Sequence, residues 1–518
     1  MKNILRFFKS LFSLFTSLDT LRFIKFNLDK NKGMRHSNSN SIVLIEYTTM
    51  QSVILVVSLL TRVLRKKYQS PKFIAYTFNG NYKYYPHVSM VYKSFGVEIR
   101  QFKIGDHIKA LARKKLFEII QLNLNNDDLV ELKVDGLMIG DLIYDHHLRH
   151  HNVPTLSIKD KLYQETLREG LEQFFFFREY IGNNIKAIHV THQCYFNAFP
   201  LRIAAENNIE VFGCNESVCQ RFSSDRFWCE DERLEYHAIF NLLTFEQKKD
   251  GLKWAKNRID KRWSGEVGVD MHYSKKSAFS EINRNIRVIK KSDKIKILIA
   301  THCFFDAPNG FGLNLFPDFY IWLSTLGDIS NKTDYDWYIK THPDFIPGNN
   351  EILNEILSKY PRIKLLDQNT SHKQIVHDGI DFVLTIHGTV GFEYAAMGIT
   401  VINASLINPH IGYDFNIHPS SRKEYINLLL NLTDKVKIEI SNNDIYEFYY
   451  MRHYYFNTSD WLIPKPEDIK YNRLMSPDIY AVYINSIKNN DLEMNRRLLV
   501  FNNFVFSGEK IMMNQGYS

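Results

Sequence analysis

Residues 382–403 read FVLTIHGTVGFEYAAMGITVIN. Phe382–Ile386 is an apolar run of strand length, and Thr400–Asn403 is a second. Between them His387-Gly388-Thr389 form a turn, and Gly391–Met397 has helical character. Two parallel strands cannot be closed by a hairpin, so a strand, a turn, a helix and a second strand form the repeating unit of a parallel α/β sheet. The turn after the first strand of such a unit lies at the carboxyl edge of the sheet, where ligands bind. Gly388 and Gly391 allow close approach of a ligand to the backbone, and free amides at a helix start favour a phosphate. Thr389 adds a hydroxyl donor beside His387. Glu393, one turn in, is placed to accept hydrogen bonds from a ribose or sugar diol.

The same alternation extends outward. Upstream lie strand candidates Ile295–Thr301 (IKILIAT), Trp337–Thr341 and Ile363–Leu366, with a helix over Asn350–Tyr360. The first half repeats the pattern, with strands at Ser41–Tyr47, Lys72–Phe78, Val97–Ile104, Ala187–His192 and Ile209–Gly213. Helical stretches run up to Lys66, over His87–Phe95 and over Pro200–Asn207. Residues 244–294 differ: a charged helix, FEQKKDGLKWAKNRIDKRW, precedes polar, strand-poor sequence. The expected fold class is therefore α/β, with two doubly wound, Rossmann-like domains facing a central cleft. The expected division is a basic amphipathic segment at 1–36, an amino-terminal domain at 37–265, a linker at 266–294, a donor domain at 295–438 and a helical tail at 439–518.

Composition agrees with a large globular chain. At roughly 100–200 residues per domain, 518 residues allow two or three domains, and 45% hydrophobic content excludes a fully disordered chain. Five cysteines exclude a disulfide scaffold and point to a reducing compartment. A net charge of +8 on so long a chain does not argue for nucleic acid. Eight Lys and Arg residues against two Asp lie within the first 36 positions. There Ile4, Phe8, Leu11, Phe15 and Leu18 recur at helical spacing, as in a helix that lies at an anionic membrane surface. The longest charge-free apolar run, Thr48–Thr61, is shorter than the roughly 20 residues a membrane span needs. A soluble or peripheral protein follows.

Further segments carry candidate chemistry. In WYIKTHPD (Trp337–Asp344), His342 falls at the carboxyl end of a strand, and Pro343 stops that strand. An imidazole there can donate to a phosphate oxygen, and Lys340, on the same strand face, adds charge. The loop HCFFDAPNGFGLN follows the first strand of its half, and Asn309 and Gly310 would face a ligand from it. In VDGLMIGDLIYDHHLR (Val134–Arg149), Asp141 and Asp145 are candidate general bases. His192 follows a buried strand and joins them. No metal-ligand spacing is present, since DHH has no identifiable distant partner ligands.

Taken together, IKTHP and TIHGTVGFEYAAMGITVIN resemble the donor domain of bacterial GT-B glycosyltransferases. The likeness is greatest to the capsule and surface polysaccharide biosynthesis proteins, a group that includes Kdo transferases. GDLIYDHHLR and THQCYFNAFPLRIAAENNIEVF look like the amino-terminal half of such proteins. The resemblance implies a nucleotide-sugar donor, CMP-sugar in particular, and a glycan or glycolipid acceptor. It gives His342 the donor phosphate, Gly388 and Thr389 the cradle around it, and Glu393 the ribose. Asp141, Asp145 or His192 would supply the base. It implies no metal or other cofactor, no nucleic-acid partner, and a cytoplasmic protein peripheral to the inner membrane. Rival readings are a teichoic-acid-type polyol-phosphate transferase, a nucleotide-sugar 2-epimerase, and a catalytically degenerate scaffold of capsule assembly.

Overall fold

A computed structural model describes residues 17–31, 40–216, 218–270, 277–341, 347–456, 461–462 and 478–513. Its strands, in chain order, are β1 (Ile42–Glu46), β2 (Lys72–Thr77), β3 (Val97–Gln101), β4 (Lys133–Val134), β5 (Leu137–Met138), β6 (Ile185–Val190), β7 (Glu210–Cys214) and β8 (Cys219–Phe222), followed by β9 (Lys296–Ala300), β10 (Asp336–Lys340), β11 (Ile363–Leu365), β12 (Phe382–Thr385) and β13 (Thr400–Asn403). Each apolar run of the sequence becomes one of these strands, with its ends shifted by up to three residues. The fold class is α/β, with two Rossmann-like sheets.

The chain divides into two compact units. The first comprises Met1–Glu118, Arg168–Phe227 and Tyr455–Ser518; the second comprises Ile119–Leu167 and Trp228–Tyr454. These are not the contiguous segments that composition suggests. Residues 119–167 and the charged helix Phe245–Trp263 both belong with the later sheet.

In the first unit the strand order is β3-β2-β1-β6-β7-β8. All neighbours are parallel except β7 and β8. β8 was not evident in the sequence because CQRF is short and half polar, as an edge strand can be. The apolar helix Gln51–Lys67 is buried along almost its whole length. Val43, Ile45, Phe73 and Ala75 form one core with it and with the carboxyl-terminal helices Asp478–Lys488 and Leu492–Phe506. The helix Leu18–Asn31 joins the same core, with Phe23 stacked on Tyr480 at 4.1 Å. Of the basic amino-terminal segment, residues 1–16 and 32–36 lie outside the described residues, and the remainder packs on its own unit. Among the described residues no helix is long and apolar enough to cross a membrane.

In the second unit the order is β11-β10-β9-β12-β13, parallel throughout. Successive side chains alternate between faces. Ile297 and Ile299 enter a core with Trp322, Trp337, Ile339 and Leu384. Leu298 and Ala300 enter another with Tyr338, Val383, Tyr394 and Val401. Both faces are covered, which is why these strands read as unbroken apolar runs rather than as an alternating pattern.

Residues 119–167 are tied to this unit by buried polar contacts. The Asn309 amide N–H and side chain donate to Asp145 at 3.0 and 2.8 Å, and the Tyr144 hydroxyl donates to Asp318 at 2.6 Å. Gly140 starts the helix Gly140–His151 against backbone: a Cβ there would sit 2.1 Å from the Leu129 carbonyl oxygen. Backbone cannot yield as a flexible side chain can. Gly140→Ala is expected to destabilise the second unit by about 3 kcal/mol, the upper range of overpacking. Chemical denaturation checks this, and an unchanged midpoint would contradict the close approach.

Candidate active site

β9 lies between β10 and β12, and the chain winds outward from it in both directions. That makes the carboxyl end of β9 the topological switch point of the second sheet. A cavity of about 250 Å³ opens there, entirely within the second unit. Thr301 and His302 line it from the end of β9, Lys340 and Thr341 from the end of β10, and Thr385 from the end of β12. The turn His387–Thr389 lines it too, with Glu393, Arg262, Val269 and Phe279.

Charged side chains line this cavity. Lys340 is only 5% exposed, and burial holds its ammonium below the usual lysine range, partly offset by Glu393 and Asp367. Among the described residues its side chain makes no hydrogen bond or ion pair, although its carbonyl accepts the Thr301 N–H at 3.2 Å. Glu393 is buried and paired with Arg262 from the charged helix. Phe392 and Phe279 lie under the same guanidinium. Glu393 therefore meets the cavity as half of an ion pair rather than as a solvated carboxylate.

A histidine pair forms the floor. His302 Nε2 lies 3.2 Å from the Thr385 hydroxyl, and its ring stacks on Phe319 and lies 4.6 Å from that of His387. Burial, reinforced by Arg233, lowers the His387 pKa to about 4, so its imidazole is neutral at pH 7. Its Nε2 is buried with no hydrogen-bond partner among the described residues. His372 adds a ring whose Nδ1 lies 2.6 Å from the Tyr394 hydroxyl.

Five of the sequence candidates converge here: Lys340, His387, Gly388, Thr389 and Glu393. His342 lies outside the described residues. Asn309 and Gly310 do not line the cavity; both are buried, and Asn309 is engaged with Asp145. Asp141 and Asp145 are each 2% exposed on the Gly140–His151 helix, so Asp145 serves as an anchor. Gly391 does not open the backbone to a ligand: a Cβ there would lie 2.3 Å from the His410 ring, which makes it a packing glycine. His192 belongs to the first unit, where it is exposed.

Sequence reasoning missed Arg262, His302 and His372. His302 follows a buried strand directly, the same signal that singled out His192. Arg262 carried none, because on an isolated charged helix a cation reads as solvated. The stretch expected as a linker supplies Phe279 to the cavity wall.

No family model and no curated protein matches the chain. Similar chain courses occur among solved structures. A UDP-GlcNAc 2-epimerase from Neisseria meningitidis, bound to UDP-GlcNAc, is 9% identical over 80% of this chain and 98% of its own, with a TM-score of 0.22. A glycosyltransferase from Rickettsia africae is 11% identical over 88% and 100%, TM-score 0.23. The wall teichoic acid polymerase TagF is 11% identical over 94% and 99%, TM-score 0.20. At these values the functional reading rests on the residues of the site.

Proposed function

We propose that the protein is a GT-B glycosyltransferase whose second unit binds a nucleotide-sugar donor and which extends a capsule or surface polysaccharide. The observation that carries this reading is Lys340: a buried ammonium without a partner among the described residues, facing a cavity at a sheet's switch point. A cation buried without an ion pair is costly, and an anionic ligand would relieve that cost. A donor phosphate has the required charge. The turn His387–Thr389 places a hydroxyl and an imidazole in the cavity lining, and Phe279 adds an apolar ring to it.

Little net charge is available to meet a donor phosphate. Among the described residues lining the cavity, Lys340 and Arg262 are balanced by Glu393 and Glu266, and the neutral His387 adds nothing. A CMP-sugar carries one phosphodiester charge, whereas a nucleoside diphosphate sugar brings two. In this reading His342, two residues past the end of β10, contacts the same phosphate. The leaving nucleotide is stabilised by fixed cations rather than by a proton from His387. An acceptor hydroxyl, relieved of its proton by a general base, attacks the anomeric carbon as the bond to phosphate breaks. The acceptor would be a glycan or glycolipid at the inner membrane.

Titration calorimetry with CMP, CDP, UDP and GDP tests the reading. CMP is expected to bind at least tenfold tighter than the other three. Preference for CDP would move the assignment to polyol-phosphate transfer, and preference for UDP or GDP to a hexose donor. Binding of none would leave a scaffold without catalysis.

A further inference from the structure

All five cysteines of the chain are thiols, and two of them share the β7–β8 hairpin of the first unit. There Cys214 stands directly opposite Cys219. The backbone hydrogen bonds show what kind of pair this is. The Asn215 N–H donates to the Val218 carbonyl at 2.8 Å, so the neighbouring pair, Cys214 with Cys219, is one whose members exchange no backbone hydrogen bonds. Their carbonyls are engaged elsewhere: that of Cys214 lies 2.9 Å from His189 Nε2 on β6, and that of Cys219 accepts the Met512 N–H at 2.9 Å. Pairs of this kind hold their Cα atoms about 4.5 Å apart, with both side chains on one face of the sheet. A disulfide spans Cα separations of about 4.4–6.8 Å. The strand register therefore puts the two thiols within bonding reach.

Their surroundings decide which oxidant can reach them. Cys214 is 1% and Cys219 0% exposed, in the core that also holds Phe212, Trp461, Phe504 and Met512. Burial, with Cys214 beside it, holds the Cys219 thiol well above its ordinary range, so thiolate is scarce. A bulky disulfide cannot enter such a core. A hydroperoxide of near water size can, once the hairpin opens. Cys219 begins β8, the last strand of its sheet, which is flanked by the chain segment Lys510–Met512. Opening at the end of an edge hairpin breaks few hydrogen bonds and belongs to the low-energy, local class of unfolding.

We infer that Cys214 and Cys219 form a reversible oxidation site, closed to a cross-strand disulfide by a hydroperoxide and reopened by a dithiol reductant. The peroxide oxygen transfers to one sulfur, giving a sulfenic acid and, from hydrogen peroxide, one water. The second sulfur attacks the first, the S–O bond breaks, and the hydroxyl leaves with the second thiol proton as another water. The two sulfurs together give up two electrons, which reduce the O–O bond. Where thiols are kept reduced, such a pair rests as the dithiol and closes only transiently. The site lies in the first unit and is independent of any nucleotide bound by the second.

Peptide mapping of the full chain tests the site. The folded protein is exposed to hydrogen peroxide, then unfolded and alkylated without reductant. Cys214 and Cys219 are expected to lose alkylation together and to regain it after dithiothreitol. Glu216 lies between them, so cleavage at glutamate leaves two fragments joined only where the disulfide has formed. Circular dichroism of the oxidised chain should match that of the reduced one. In Cys214→Ser the remaining thiol has no partner, and dimedone should trap Cys219 as a sulfenic acid that the wild type does not accumulate. The mapping itself needs no variant, so a misfolded Cys214→Ser would not blunt the test. Both thiols still alkylatable after peroxide would overturn the inference. So would pairing of either with Cys194, Cys229 or Cys303, or closure that accompanies loss of the folded signal.

Discussion

Lys340→Met is expected to weaken nucleotide binding about 100-fold while leaving the protein as stable as before, or more so. The two effects have one cause. Lys340 sits at the end of β10, 5% exposed, with burial disfavouring its charge and no ion pair among the described residues to restore it. In the empty cavity the ammonium is a cost, and a methionine of similar reach removes it while keeping the apolar stem packed. With an anionic ligand present the balance reverses: losing a buried cation opposite its counter-charge costs about 3 kcal/mol, or about 100-fold in affinity. Calorimetry with CMP gives the first number and chemical denaturation the second. Unchanged binding would remove Lys340 from the donor site. Lost binding together with lower stability would mean that the residue supports the fold instead.

The second large effect is acid sensitivity. Burial and neighbouring imidazoles lower the pKa of His146 to about 3 and of His147 to about 4. His387 is lowered to about 4 by burial and Arg233, and His453 to about 3 by burial and Arg452. Each has a folded-state pKa below its unfolded value near 6.5. As pH falls the unfolded chain takes protons first, so the stabilisation is complete above about pH 6.5 and lost as pH drops towards 4. Each group contributes up to about 1.4 kcal/mol per pH unit to that slope. Asp318 opposes it: burial raises its carboxyl to about 6, so its contribution is present below the unfolded value and lost as pH rises through 6. Burial also raises the Glu447 carboxyl, but it lowers His189, His410 and His418 as well, so lowered imidazoles outnumber raised carboxyls. Denaturation midpoints measured from pH 7.5 to 4.5 should fall steeply below 6.5, and His147→Gln should flatten the curve. A midpoint constant across that range would show that these rings are hydrated in solution.

The sequence by itself determined ten strands, β1–β3, β6, β7 and β9–β13, and the class of fold. IKILIAT and FVLTI are short apolar runs because both faces of a parallel sheet are covered, and that demand is met residue by residue along the chain. Placing Lys340 and the 387–393 turn at carboxyl edges also followed from local order, because a strand's direction fixes which end its following loop occupies. Tertiary structure decided the rest. Asp141 and Asp145 look like solvated acids in a polar segment, yet Asp145 is buried against Asn309, 164 residues away. Gly391 reads as a ligand-cradling glycine, and only the His410 ring packed over it shows otherwise. Arg262 has the pattern of a surface cation until tertiary packing brings it to Glu393. Hydrophobic periodicity encodes which face of an element is buried. It does not encode which distant element buries that face, and the partners of a charge are set by that second choice.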